Sequence, residues 1–113
     1  MSEPVEAETL EWVAAPGPPP ADGALRAIEL RGLRLLLCRA GGALYALADR
    51  CPHAGAALSE GMLRGCTLHC PLHGGALDVR DGRPAVPPLR RPVATYPVRV
   101  RGDVLEIAIP SAA

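Results

Sequence analysis

Two short runs, Cys51-Pro52-His53 and Cys70-Pro71-Leu72-His73, each offer one thiolate and one imidazole, and sixteen residues separate His53 from Cys70. Four soft or borderline metal ligands divided evenly between two loops are hard to explain as packing. Such a set can hold a tetrahedral zinc, or a 2Fe–2S cluster in which two His replace two Cys on one iron. The flanking residues favour the cluster. Both Cys precede Pro, which restricts the Cys backbone to extended angles and fixes the loop that follows. His73 is followed by Gly74-Gly75, where missing side chains would let backbone N–H groups approach a sulfide. Structural zinc sites pair like ligands as C-x₂₋₄-C and H-x₃₋₅-H, whereas here each pair is mixed.

From these residues outward the chain resembles the Rieske family, whose signature is C-x-H, a spacer of this length, and C-x-x-H with Gly after the last ligand. The resemblance runs on through Leu77-Asp78-Val79, the turn Asp81-Gly82, Pro87-Pro88 and Tyr96 to Val100, so it spans about Trp12 to Ile109. It implies one 2Fe–2S cluster, with Cys51 and Cys70 on the inner iron and His53 and His73 on the outer iron near the surface. It also places Pro87-Pro88 in a proline-rich loop covering the cluster.

Departures from the family pattern are informative as well. The high-potential respiratory branch has a loop-to-loop disulfide, and its two cysteine positions are Ala56 and Leu72 here. The same branch supplies Ser and Tyr hydroxyls to cluster and cysteine sulfur, where this chain has Gly75 and Leu77. Hydrogen bonds to sulfur stabilise the more negative reduced cluster, so their loss lowers the potential. The chain is similar to the low-potential, ferredoxin-type branch.

A chain of 113 residues builds one domain with a modest core, and without Phe that core must come from Leu, Val, Ile and Ala. The formal net charge of zero argues against bulk attraction to nucleic acid or anionic membrane. No run approaches the eighteen or so apolar residues of a membrane span, and Met1-Ser2-Glu3-Pro4 has no basic n-region or apolar h-region, so the cytoplasm is the expected compartment. All twelve basic residues are Arg. Six of them fall between Arg80 and Arg101 against the single acid Asp81, which suggests a docking rim or a solvated strand face.

The elements expected to position the ligands are all β. Residues 1–11 read as a flexible acidic tail, and 12–113 as the metal-binding domain, with a cluster-binding subdomain at about 47–84. Strands are expected from Trp12, over Ala24 to Leu30, over Leu33 to Cys38, and over Ala43 to Ala48. Turns fall at Arg31-Gly32 and Gly41-Gly42. Val93 to Arg101 and Val104 to Ile109 should form a last hairpin across Gly102-Asp103. Short strands and frequent Gly and Pro turns argue for an antiparallel sandwich or barrel. At most one helical turn is expected, near Gly55 to Ser59.

Other candidates read as structural. Cys38 sits in an apolar run as a buried thiol, Cys66 has no ligand role in the family pattern, and His69 flanks a ligand Cys. Trp12 is expected to pack the base of the sandwich, with Tyr45 and Tyr96 at the core edge. Asp49 and Asp78 flank the ligand loops as solvated turn residues, and no residue is assigned a catalytic role.

A fully ligated 2Fe–2S cluster has no open position for substrate and can exchange one electron. The resemblance implies a monomeric ferredoxin that accepts electrons from an NAD(P)H-linked flavoprotein reductase. It would pass them to a terminal non-haem iron oxygenase through transient contacts. The small subunit of a cytoplasmic NAD(P)H nitrite reductase is an alternative within electron transfer, and a zinc-stabilised binding module is one outside it.

Overall fold

The structure, a computed structural model, describes residues 9–52, 55–71 and 74–111. Among the described residues eleven strands form three antiparallel sheets, two of them packed on the faces of a middle one. That layer has the order β2-β3-β4-β9, built from Leu25–Leu30, Leu33–Ala40, Ala43–Ala48 and Thr95–Tyr96. Strand β3 reads Leu-Arg-Leu-Leu-Leu-Cys-Arg-Ala, and Leu35 through Cys38 are all inaccessible to solvent. Side chains alternate between sheet faces, so a continuous apolar run demands cover on both sides. Leu35 and Leu37 pack with Ile28, Leu30, Leu105, Ile107 and Ile109. Leu36 and Cys38 pack the other way, with Leu47, Leu58, Leu68, Leu77 and Val79.

The first cover is the sheet β1-β11-β10, from Leu10–Ala14, Val104–Pro110 and Val98–Arg101. Strand β1 begins at Leu10, two residues before the expected start of the domain at Trp12. Leu10 pairs with Pro110 in the β1–β11 register, and Glu11 is fixed by an ion pair of 2.7 Å with Arg31. The rest of the tail, residues 1–8, lies outside the described residues. Trp12 is not in the core. It is 38 % exposed on the outer face of this sheet, with the Arg99 guanidinium 4.0 Å from its ring centre. Glu106 on β11 is half-buried and accepts a 2.7 Å hydrogen bond from Arg99.

The second cover is the sheet β5-β6-β7-β8, from Met62–Arg64, Thr67–His69, Ala76–Asp78 and Pro84–Val86. It falls within the expected cluster-binding segment, overrunning its end by two residues at Val86. One 3-10 turn, Leu58–Glu60, precedes it. The tight hairpins turn where expected: Arg31-Gly32 and Gly41-Gly42 have positive φ at both central residues, as type I′ geometry requires.

The expected strand from Val93 to Arg101 is instead two strands in two sheets. Thr95–Tyr96 pairs with β4 and Val98–Arg101 pairs with β11. Pro97 between them lacks an N–H to continue a ladder, while its carbonyl accepts from Ala108 N–H at 2.9 Å. The proline thereby carries the chain from the middle layer to the first cover.

Gly82 ties the second cover to the segment after the proline loop. Its N–H donates to Asp78 and its carbonyl accepts from Val93 N–H, at 2.7 and 2.8 Å. A Cβ there would meet the Val93 carbonyl oxygen at 2.1 Å, on a backbone with φ of +77°. Gly82→Ala should therefore destabilise the fold by more than the roughly 1–3 kcal/mol of a strained backbone alone. Chemical denaturation should show it, while Gly102→Ala, with open space around its Cβ, loses only the backbone part.

Candidate metal centre

The two ligand loops leave the sheets in matching ways. Cys51 follows β4 by three residues, and Cys70 follows β6 directly. The Cys51 N–H donates to the carbonyl of Ala56 at 2.8 Å, and the Cys70 N–H donates to the carbonyl of Gly75 at 2.8 Å. Each loop thus closes on the residue five places on. Four places after each cysteine stands a glycine with positive φ, Gly55 at +73° and Gly74 at +74°. That left-handed turn is open to Gly at no steric cost, which explains the glycine in both loops. Two different sequences, Cys-Pro-His-Ala-Gly-Ala and Cys-Pro-Leu-His-Gly-Gly, therefore adopt the same closure.

This closure turns both cysteines inward. Cys51 and Cys70 are buried in one apolar cluster with Leu58, Leu68, Leu77 and Leu89, on the site-facing side of the middle sheet. The donor set fits an iron–sulfur group: two cysteine side chains sit in one interior cluster at the base of paired loops, placed to give up their protons to a bound iron. His53 and His73 lie outside the described residues. Among the described residues, no group of three or more His, Cys, Asp or Glu side chains gathers to hold a metal.

Surrounding contacts hold the second loop against the proline segment. Gly75 is buried, and a Cβ there would lie 3.3 Å from Leu89 N and 3.4 Å from Pro88 Cδ. Gly61 backs the same loop from the other side, where a Cβ would meet the His69 carbonyl oxygen at 2.0 Å. His69 is half-exposed at the end of β6 and lines an open groove of about 530 Å³ with Met62, Arg64 and Pro71. Leu77, at the position of the family's second hydroxyl donor, is fully buried among leucines.

Asp49 has a part that the sequence reading missed. It is 6 % exposed, not solvated, and its carboxylate accepts two hydrogen bonds from Ser59, from the backbone N–H and the hydroxyl, each 2.7 Å. It thereby pins the 3-10 turn that follows the first loop to the end of β4. Nothing local in the sequence announces a bond across ten residues. Asp78 holds its own turn, accepting from the Arg80 backbone and guanidinium, and that guanidinium keeps its carboxyl below the ordinary range.

The remaining two thiols lie outside the ligand loops, although Cys38 shares the apolar cluster of Cys51 and Cys70 and Cys66 packs against it. Cys38 is inaccessible in β3, and burial, helped by the nearby Cys66, pushes its thiol up to about 12. Cys66 occupies the β5–β6 turn, where its carbonyl accepts from Val79 N–H at 2.9 Å.

Comparison with known proteins identifies the arrangement. Residues 13–97 match the family model of the Rieske [2Fe-2S] domain. The anthranilate 1,2-dioxygenase ferredoxin subunit of Burkholderia cepacia is 39% identical over 71 residues, covering 63% of this chain and 66% of that protein. The ferredoxin component of the naphthalene 1,2-dioxygenase system of Pseudomonas aeruginosa is 36% identical over 82 residues, 73% of this chain and 79% of that one. A chain in the complex of reduced oxygenase and oxidized ferredoxin in carbazole 1,9a-dioxygenase superposes with a TM-score of 0.79 at 34% identity. The match covers 86% of this chain and 92% of that chain.

Two outcomes follow from the site's own contacts. Asp49→Ala should cost about 1–3 kcal/mol in urea unfolding, because it strips two partners from Ser59, and Asp49→Asn, which keeps an acceptor, should cost less. Cys38 sets an alkaline limit on stability. Below its ordinary value of 9.0 both folded and unfolded states hold the thiol proton. From there to about 12 the unfolded chain ionises first, and stability falls as pH rises. Cys38→Ala should flatten that part of the profile in denaturation measured from pH 8 to 11.

Proposed function

The chain belongs to the Rieske [2Fe-2S] domain family, and from that premise we propose that it is the ferredoxin component of a multicomponent oxygenase. It takes single electrons from an NAD(P)H-linked flavoprotein reductase and gives them to a terminal non-haem iron oxygenase. The observation that carries this reading is the pair of loops, each closed by its cysteine N–H onto the residue five places on, that bury Cys51 and Cys70 in one cluster. The relatives' names place proteins of this kind in dioxygenase systems, and one is a ferredoxin in complex with its oxygenase.

In this proposal Cys51 and Cys70 hold the inner iron, and His53 and His73 hold the outer one. A 2Fe–2S cluster so ligated supplies reversible one-electron transfer. The chain's own part is to keep the two loops at fixed spacing and the thiolates dry. Apolar packing by Leu58, Leu68, Leu77 and Leu89 excludes water from the cysteine side. The histidine side is left as the port through which electrons enter and leave. No residue acts on substrate, so the chain is an electron-transfer component and the oxygenase does the chemistry. No helix among the described residues is long and apolar enough to cross a membrane, and we place the protein in the cytoplasm.

Protein prepared without air should be reddish-brown, with two irons and two labile sulfides per chain, and on reduction should give a paramagnetic signal averaging below the free-electron g value. Replacement of Cys51, His53, Cys70 or His73 by Ala should each abolish it. Cys38→Ser, Cys66→Ser and His69→Ala should keep it. Loss of the cluster in Cys66→Ser with an intact cluster in Cys70→Ser would refute the ligand assignment.

The potential should be low. Rieske centres span roughly −150 to +300 mV, set by hydrogen bonds to sulfur, charge and exposure. Gly75 and Leu77 bring no hydroxyl, and Ala56 and Leu72 no disulfide. Protein-film voltammetry should place the midpoint in the lower half of that span, and a value in the upper half would contradict the oxygenase-ferredoxin role.

A further inference from the structure

The arginines divide by position. Arg31, Arg80, Arg83 and Arg99 each pair with a carboxylate, at N–O distances of 2.7 to 3.8 Å. Arg26 and Arg39 bind backbone carbonyls of the Pro16–Pro20 loop, and Arg34 faces Glu29 in the β2–β3 register. The sequence run from Arg80 to Arg101 is therefore no continuous rim, because three of its six arginines are neutralised locally.

Three others surround the first ligand loop. Arg50 precedes Cys51, and a Cβ on Gly55 would lie 3.7 Å from its Nε and Nη2, so the guanidinium lies across the loop. Arg90 and Arg91 are exposed on the far side and line an open depression of about 420 Å³ with Pro52 and Pro88. Among the described residues none of the three side chains has an acidic partner. Asp49, the acid beside Arg50, is buried and taken up by Ser59. In a chain of zero formal net charge, three guanidinium groups without an ion pair among the described residues thus stand around this loop. The depression pairs apolar proline with a charged margin, a makeup suited to brief, steered encounters.

We infer that Arg50, Arg90 and Arg91, set around Pro52 and Pro88, dock an acidic patch on the protein with which the chain exchanges electrons. The inference rests on the electron-carrier reading and adds the partner's surface chemistry. Long-range attraction raises the encounter rate and fades with salt, so the partner is gathered and released quickly.

The test uses cluster-loaded, photoreduced protein, mixed in stopped flow with ferricyanide or with hexaamminecobalt(III). Between about 10 and 200 mM ionic strength, where the screening length falls from about 30 Å to under 10 Å, oxidation by ferricyanide should slow and oxidation by the cobalt cation should quicken. At low salt Arg90→Glu and Arg91→Glu should each slow the ferricyanide reaction by about 3- to 10-fold and speed the cobalt one. Arg90→Gln should fall between them and the wild type. Arg101→Glu, in the β10–β11 hairpin of the opposite layer, changes net charge equally and should alter neither rate. Poly-L-glutamate, standing for an acidic surface, should slow the ferricyanide reaction of wild-type protein and leave that of Arg91→Glu unchanged. Equal effects of Arg101→Glu and Arg90→Glu, or no effect of poly-L-glutamate on the wild type, would overturn the inference. A colourless protein would instead overturn the electron-carrier reading beneath it.

Discussion

Strand β3 carries apolar side chains on both faces from Leu35 to Cys38, and water must be kept from each face. That demand organises the molecule. A sheet from the two chain ends covers one face, and the inserted segment from Met62 to Val86 covers the other. The second cover meets the middle sheet through Leu36, Cys38 and Leu47, and the same cluster includes Cys51 and Cys70. These two thiols are thus fixed by the interior, and the loops that carry them inherit the rigidity of two packed sheets. Rigid placement serves a one-electron carrier, since little movement of the ligands need accompany each change of charge.

Around that interior the loops are fixed by backbone geometry. Each cysteine N–H reaches five residues forward, and each loop turns at a left-handed glycine, so the closure depends on Gly55 and Gly74 more than on the residues between. Asp49 then secures the first loop's exit through Ser59, and Gly75 lets Pro88 and Leu89 press against the second. Charge follows a complementary plan. Acids neutralise four arginines away from the ligand loops, while Arg50, Arg90 and Arg91 remain exposed beside the first.

Much of this was legible in the sequence. The two ligand runs, the apolar stretch of β3 and the glycine turns announce the chemistry and the β architecture through residue types and period. What the sequence hid depends on contacts between distant segments. Alternation in β3 shows burial on both sides but not which segment supplies each cover. Trp12 looks like core by type, yet it lies outside because Val13 in β1 and Ala15 just after it pack into the core, and Arg99 covers its ring. Pro97 was the visible signal that Val93 to Arg101 could not be one strand, since it interrupts any ladder. The bond from Asp49 to Ser59 had no such signal.

In the proposed site each loop contributes one cysteine and one histidine to a single 2Fe–2S cluster. The most direct measurement is electron spin-echo spectroscopy on reduced protein grown with ¹⁴N- or ¹⁵N-labelled histidine. Two histidine nitrogens should couple to the cluster spin, shift on isotope exchange, persist in His69→Ala, and vanish with the cluster in His53→Ala or His73→Ala. A reduced cluster with no histidine nitrogen coupling, or one whose coupling is lost in His69→Ala, would contradict it.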